Sequence, residues 1–241
     1  MISSLPTPLQ SLYQKALEHL KQYRRREAKD LLHHLLEQAP NHPDVLYQLG
    51  SIELDQQDPK TALELYRRAE QYQFNEPILF YKMGAAYLSL EAWKPAERAF
   101  RAYLKQDSHY TIVYVRLAQS LMAQTRFHDA EEELQQAIQQ FPQQSELHYV
   151  LGQCFEAQKR HHDARLAYQY TLQLDPSHHQ AQQKLKNLPQ QASTSLQEAQ
   201  QPAQQKEEQA RQAWLHDPKD KKAYKKVTSM LIQQERWDEL E

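Results

Sequence analysis

PILFYKMGAAYLSLEAWKPAERAFRAYLKQDSHY, residues 77–110, contains two apolar patterns of helical period separated by a polar turn. In the first, Phe80, Met83, Gly84 and Tyr87 are spaced so that they share one helix face; in the second, Ala96, Phe100 and Tyr103 do the same. The pattern recurs 34 residues later as Tyr114, Leu117, Ala118 and Leu121 followed by Ala130, Leu134 and Ala137. It recurs again as His148, Leu151, Gly152 and Phe155 followed by Ala164, Tyr168 and Thr171. Upstream it reads Leu46, Leu49, Gly50 and Glu53, then Ala62, Tyr66 and Ala69, and in weaker form from Leu9, where Lys15 and His19 take slots that are otherwise apolar.

Two registers of small residues fix the period. All three glycines of the 241-residue chain, Gly50, Gly84 and Gly152, share one slot, with Ala16 and Ala118 in its other two positions. Ala28, Ala62, Ala96, Ala130 and Ala164 form the second. Glycine costs about 1 kcal/mol relative to alanine inside a helix, so a chain that uses it nowhere else needs the missing side chain there. The reading is close backbone approach where paired antiparallel helices cross. Prolines punctuate the same frame. Pro40, Pro142 and Pro176 close their units; Pro43, Pro77, Pro59 and Pro95 stand at first turns, where a missing N–H costs nothing; Thr7-Pro8 reads as the N-cap and first turn of the opening helix.

The chain resembles a tetratricopeptide repeat (TPR) protein. The family pattern of a large residue, Leu-Gly, an aromatic, then Ala, an aromatic and Pro is met most fully by 77–110 and 145–178, and is recognisable across 9–178. Phe74 and Ser108 replace the closing proline in two units, which affects those turns alone. The resemblance implies an all-α, right-handed superhelical solenoid of antiparallel helix pairs. The expected organisation is a tail over 1–8, five repeats at 9–42, 43–76, 77–110, 111–144 and 145–178, and a short capping or truncated repeat helix at 179–188. A Gln/Ser/Pro-rich linker follows at 189–202, and TPR-like helices, read as truncated, occupy 203–241.

Bulk composition narrows the function. Lys and Arg number 29 against 31 Asp and Glu, so no global basic field points to nucleic acid or an anionic membrane. Mean hydropathy is −0.91, polar in the way a thin array with much surface should be. Cys154 is the single cysteine, which excludes an intramolecular disulfide framework or a thiolate metal cluster and favours a reducing compartment. There is neither a basic leader nor an apolar run approaching the roughly 20 residues of a membrane span. The chain is expected to be soluble and cytoplasmic.

The resemblance also locates the surface that remains for binding. In the family fold the stripe beside the packing face of each first helix turns toward a concave groove. Here that stripe carries Tyr13, Tyr47, Tyr81 and Tyr149 at the repeat period, with Val115 on the missing rung. Ile78, Ala85 and Ile112 surround it and Lys82 and Arg116 project beside it. Tyrosine offers rigid apolar area with a hydroxyl, suited to holding a peptide or helix; the same rings also suit packing between successive first helices. Some family members clamp a C-terminal carboxylate with Lys and Asn, then Asn, then Lys and Arg. The corresponding positions are Tyr47, Ser51, Lys82, Ile112 and Arg116, of which Arg116 alone matches.

Catalytic and cofactor chemistry finds little support. Three glycines committed to helix crossings leave none for a phosphate-binding loop. His33-His34, His161-His162 and His178-His179 point about 100° apart as helix neighbours and lack ligand partners at metal spacing, so no metal or cofactor is expected. Arg24-Arg25-Arg26 and the cluster Lys219, Lys221, Lys222, Lys225 and Lys226 read as solvated faces rather than nucleic-acid contacts. The expected function is a non-catalytic scaffold that binds a partner peptide or helix in its groove. The alternative is an N-terminal recognition or dimerisation module of a larger enzyme, such as a glycosyltransferase or sulfotransferase, motivated by the end at Glu241. A third expectation is self-association through 203–241.

Overall fold

The computed structural model describes residues 5–189. Among them the chain forms eleven α-helices and no strand. They fall into five pairs: α1 (Thr7–Lys21) with α2 (Arg25–Gln38), α3 (Pro43–Asp55) with α4 (Pro59–Gln71), α5 (Ile78–Ser89) with α6 (Trp93–Leu104), α7 (Thr111–Ala123) with α8 (Phe127–Gln140), and α9 (Ser145–Ala157) with α10 (His161–Leu174). α11 (His179–Asn187) follows. From α1 to α10 each helix packs on its chain neighbour, and the first helices of successive pairs also touch: α3 on α5, α5 on α7, α7 on α9. The result is an all-α solenoid of helix pairs, within one compact unit that runs to Leu185. A second unit begins at Lys186. The expected linker beyond Pro189 and the helices of 203–241 lie outside the described residues, as does any self-association through them.

The glycines do not serve close backbone approach; they make room for a ring. A Cβ on Gly50 would lie 2.7 Å from the Tyr66 ring, one on Gly84 2.5 Å from Phe100, and one on Gly152 2.5 Å from Tyr168. These rings belong to the second helix of the same pair, sixteen residues on, and are fully buried. Where the slot holds Ala16 or Ala118, the opposing position holds Leu32 or Leu134, again fully buried. Interiors pack to crystal-like density, so the volume removed from one helix is returned by the other.

The turn inside each pair has a fixed geometry. Tyr23, Gln57, Glu91, Thr125 and Lys159 recur at the repeat period with φ between 53° and 65°. After each, a backbone N–H reaches back five residues to close the helix: Arg24 to His19 O, Asp58 to Glu53 O, Ala92 to Tyr87 O, Arg126 to Leu121 O, Arg160 to Phe155 O. This is the Schellman arrangement, which usually places glycine at the left-handed residue. This chain tolerates a side chain at all five.

Helix starts follow their local chemistry. Asp58 caps α4 by accepting from the Thr61 N–H at 3.1 Å, with Pro59 behind it at N1. The Thr61 hydroxyl and N–H both donate to the Asp58 carboxylate and hold it below the usual carboxylate range. At the N-terminus the cap is Pro6, not Thr7: α1 begins at Thr7, with Pro8 in its first turn and no side-chain cap. The extended ψ of 146° at Pro6 already breaks the chain direction, so no hydroxyl is needed to do it.

Candidate functional site

The inner stripe of the first helices is assembled from α3, α5, α7 and α9, each of which touches the next. Residues of equal register on touching helices share a face, and parallel neighbours of this kind lie about 10 Å apart. The tyrosine rungs therefore form a row, but their rings are largely spent on packing. Tyr13 is 3% exposed, Val115 2% and Tyr149 6%; Tyr47 and Tyr81 are half-buried.

Each ring rests on its own second helix or on the turn that leads to the next pair. Tyr47 stacks on Phe74 at 4.5 Å between centroids. Tyr81 meets Tyr103 and Tyr110 edge-on, at 6.3 and 5.6 Å. Tyr149 lies 4.6 Å from His178, and Tyr13 6.4 Å from His42. His42, Tyr110 and His178 each follow their tyrosine by twenty-nine residues. That spacing is visible in the sequence and marks the seats of the ladder. For Val115 the corresponding positions are Ala137 and Gln144, and for Tyr47 they are Ala69 and Glu76, so Tyr47 takes Phe74 as its seat instead. Burial is the main cause that pushes the Tyr13 hydroxyl up to about 12, and it also raises those of Tyr47 and Tyr149.

The open part of the stripe lies on α5 and α7. Ile78, Tyr81, Lys82 and Ala85 on α5 and Ile112 and Arg116 on α7 are all half-buried. Ile78 and Lys82 are one turn apart, and Ile112 and Arg116 repeat that arrangement on the touching helix. The Arg116 guanidinium donates to the neutral Gln119 side-chain amide oxygen at 3.1 Å. Acidic groups occupy the flanking helices instead: Asp44 on α3 lies 3.7 Å from His42, and Glu146 on α9 lies 3.3 Å from His178.

Ion pairs on the outer side link successive repeats. Arg126 bonds Glu97 at 2.7 Å and Arg160 bonds Glu131 at 2.8 Å, one repeat apart, while Arg101 joins Glu97 to Glu133. Burial opposes ionisation of Glu97, but hydrogen bonds from Gln124, Arg101 and Arg126 outweigh it and hold the carboxyl below its ordinary value. A shallow cavity of about 570 Å³ lies among α8, α9 and α10 over Leu151, Phe155, Leu166 and Tyr170. A smaller one, of about 420 Å³, occupies the same register two repeats earlier over Met83, Tyr87 and Ala99.

The remaining chemistry-bearing groups have structural surroundings. Cys154 is fully buried with its thiol donating to Phe127 O, and burial raises its pKa. That environment disfavours the thiolate a nucleophile requires. His34 faces Glu37 and Gln38 on one helix, and His178 is seated on Tyr149. Among the described residues, His128, Asp129 and Glu132 bring three ligand atoms together at the exposed start of α8, but Asp129 is already held by Arg126. No helix among the described residues is long and apolar enough to cross a membrane.

Comparisons with known proteins agree with this architecture. The fold is similar to that of MamA 41-end from Desulfovibrio magneticus RS-1, with a TM-score of 0.67 and 19% identity over 72% of this chain and 98% of that one. It is equally similar to YrrB, described as a TPR protein with an unusual peptide-binding site, with a TM-score of 0.66 and 16% identity over 73% and 90% of the two chains. A comparison with curated protein sequences finds no match. The tetratricopeptide repeat family profile matches residues 13–76 and 115–179, together more than half of the chain. With the paired helices and their phased small residues, that match establishes that the chain belongs to the tetratricopeptide repeat family.

Proposed function

We propose that the inner face of α3, α5, α7 and α9 is a protein-binding groove and that the chain acts there as a non-catalytic scaffold for a partner peptide or helix. The observation that carries this reading is the half-buried quartet Ile78, Lys82, Ile112 and Arg116, with Tyr81 and Ala85 beside it. Apolar area and positive charge alternate on two touching helices, a surface that offers both burial and orientation to a ligand. Tyr47 and Tyr81 contribute ring edges, while Tyr13, Val115 and Tyr149 act from beneath by holding the helices in register. The peptide-binding site of the similar YrrB lends the reading support at the level of fold. The single buried cysteine is the ground for placing the scaffold in a reducing cytoplasm.

The test follows from the burial of the rungs. Alanine at Tyr13, Tyr47 and Tyr149 would remove packing and confuse binding with folding. The variant K82A/I112A/R116A changes half-buried positions and leaves Ile78, which packs on the core beneath it, in place. It is expected to lose peptides selected on the wild-type protein while its thermal midpoint stays within a few degrees, as read by circular dichroism. Undiminished binding of those peptides would defeat the groove reading.

A further inference from the structure

The half-buried cations of this chain are not all treated alike, and the difference points to the chemistry of the ligand. The half-buried cations Lys29, Arg101 and Lys184 each bond a carboxylate of this chain, at 2.8, 2.6 and 3.0 Å. Even the more exposed Arg126 and Arg160 each take two. Lys82 and Arg116 are half-buried as well, yet no carboxylate among the described residues reaches either of them. Both lie one turn after an isoleucine, on helices that touch, so two cations and two apolar side chains make a four-cornered patch about 10 Å across the helices and about 6 Å along them. A half-buried charge without a counter-charge gives up solvation for nothing in the free chain, and the cost is recovered when an anion arrives.

Resting on the groove reading, we infer that the patch formed by Ile78, Lys82, Ile112 and Arg116 receives an acidic side chain, Asp or Glu, carried within an apolar segment of a partner protein. The carboxylate bonds Arg116 and Lys82 in charge-assisted fashion, and the apolar neighbours of the acid cover Ile78 and Ile112. An internal side chain is favoured over a terminal carboxylate because the adjoining positions, Tyr47, Ser51 and Ala85, bring no further cation or side-chain amide to a chain end. Asp44 and Glu146, one repeat to either side, repel further acids, so the recognised segment carries its negative charge at the centre.

Random twelve-residue peptides displayed in two formats, one with the C-terminus fused and one with it free, test this on the full chain. The fused library is expected to yield peptides with a central Asp or Glu between apolar residues. Exchange of that acid for its amide should weaken binding roughly tenfold, and K82Q/R116Q should abolish the discrimination while still binding the amide form. If bound peptides show no acid preference, or a preference that K82Q/R116Q leaves intact, the inference falls and the groove reading stands. Selection from the free-terminus library alone overturns it in favour of a terminal carboxylate. If neither library yields a binder, both readings fall.

Discussion

The α5/α6 and α7/α8 pairs have the same backbone period and the same inner patch, but they distribute volume in opposite ways. The first places Gly84 under Phe100 and seats Tyr81 against Tyr103 and Tyr110. The second uses Ala118 and Leu134, with Val115 as its rung and Ala137 and Gln144 at the positions of Tyr103 and Tyr110. One solution is a rigid ring fitted to a hole; the other is a set of branched aliphatic groups without a hole. The repeat therefore constrains the sum of the side chains across a crossing and not any one of them.

The strongest way to break this contrast is Gly84→Ala. The new methyl would sit 2.5 Å from the fully buried Phe100 ring. Overpacking of about 3 kcal/mol outweighs the gain of about 1 kcal/mol in helix propensity, leaving a net loss of about 2 kcal/mol in a urea melt. G84A/F100L converts the pair to the α7/α8 solution and should recover most of that loss. A double variant no better than the sum of the singles would mean that the volumes are not coupled.

A smaller effect distinguishes the two turns. Thr125 has φ 60° and Glu91 φ 53°, but only Thr125 is β-branched, and such residues fit the left-handed region worst. Thr125→Gly is expected to raise stability by about 1 kcal/mol and Glu91→Gly by about half as much. Equal gains, or losses at both, would show that the turn does not hold the strain.

The smallest effect appears at alkaline pH and is read at Tyr103 of α5/α6. Burial, with the hydrogen bond to Asp107 next, pushes the Tyr103 hydroxyl from 10 up to about 12. The folded state keeps this proton where the unfolded chain has lost it, so the stabilising contribution is complete below pH 10 and disappears between pH 10 and 12. Tyr103→Phe should shift the alkaline unfolding midpoint upward by a few tenths of a pH unit. The α7/α8 pair has Ala137 at this position, and its own raised hydroxyl, that of Tyr114, lies on the first helix instead. An unchanged midpoint would place the alkaline sensitivity elsewhere, with the raised Tyr13 as the next group to test.

Much of this was readable in the chain. A glycine in a helix is costly enough that three of them in one slot reveal a crossing, and the ring they accommodate lies sixteen residues on, in the same apolar pattern. The spacing of Tyr13, Tyr81 and Tyr149 from His42, Tyr110 and His178 was equally present. Nothing local, however, marks a tyrosine as facing a seat instead of a groove. The N-cap at Pro6 was obscured in the same way, because Thr7-Pro8 carries the stronger local signal and the backbone conformation of the preceding proline overrides it.

The sequence by itself determined the period, the helix pairs and the positions of small residues, because helical spacing and the cost of glycine act within a few turns of chain. Only the tertiary structure decided how much of each rung stays open and which cations go unpaired. Those properties depend on side chains from neighbouring repeats. Tyr149 is covered by His178 and Arg126 is neutralised by Glu97, whereas Lys82 and Arg116 meet no carboxylate from any described helix. Burial and counter-charge are set by what folding brings alongside, which is why the register of the stripe was legible in the sequence while its exposure and charge pairing were not.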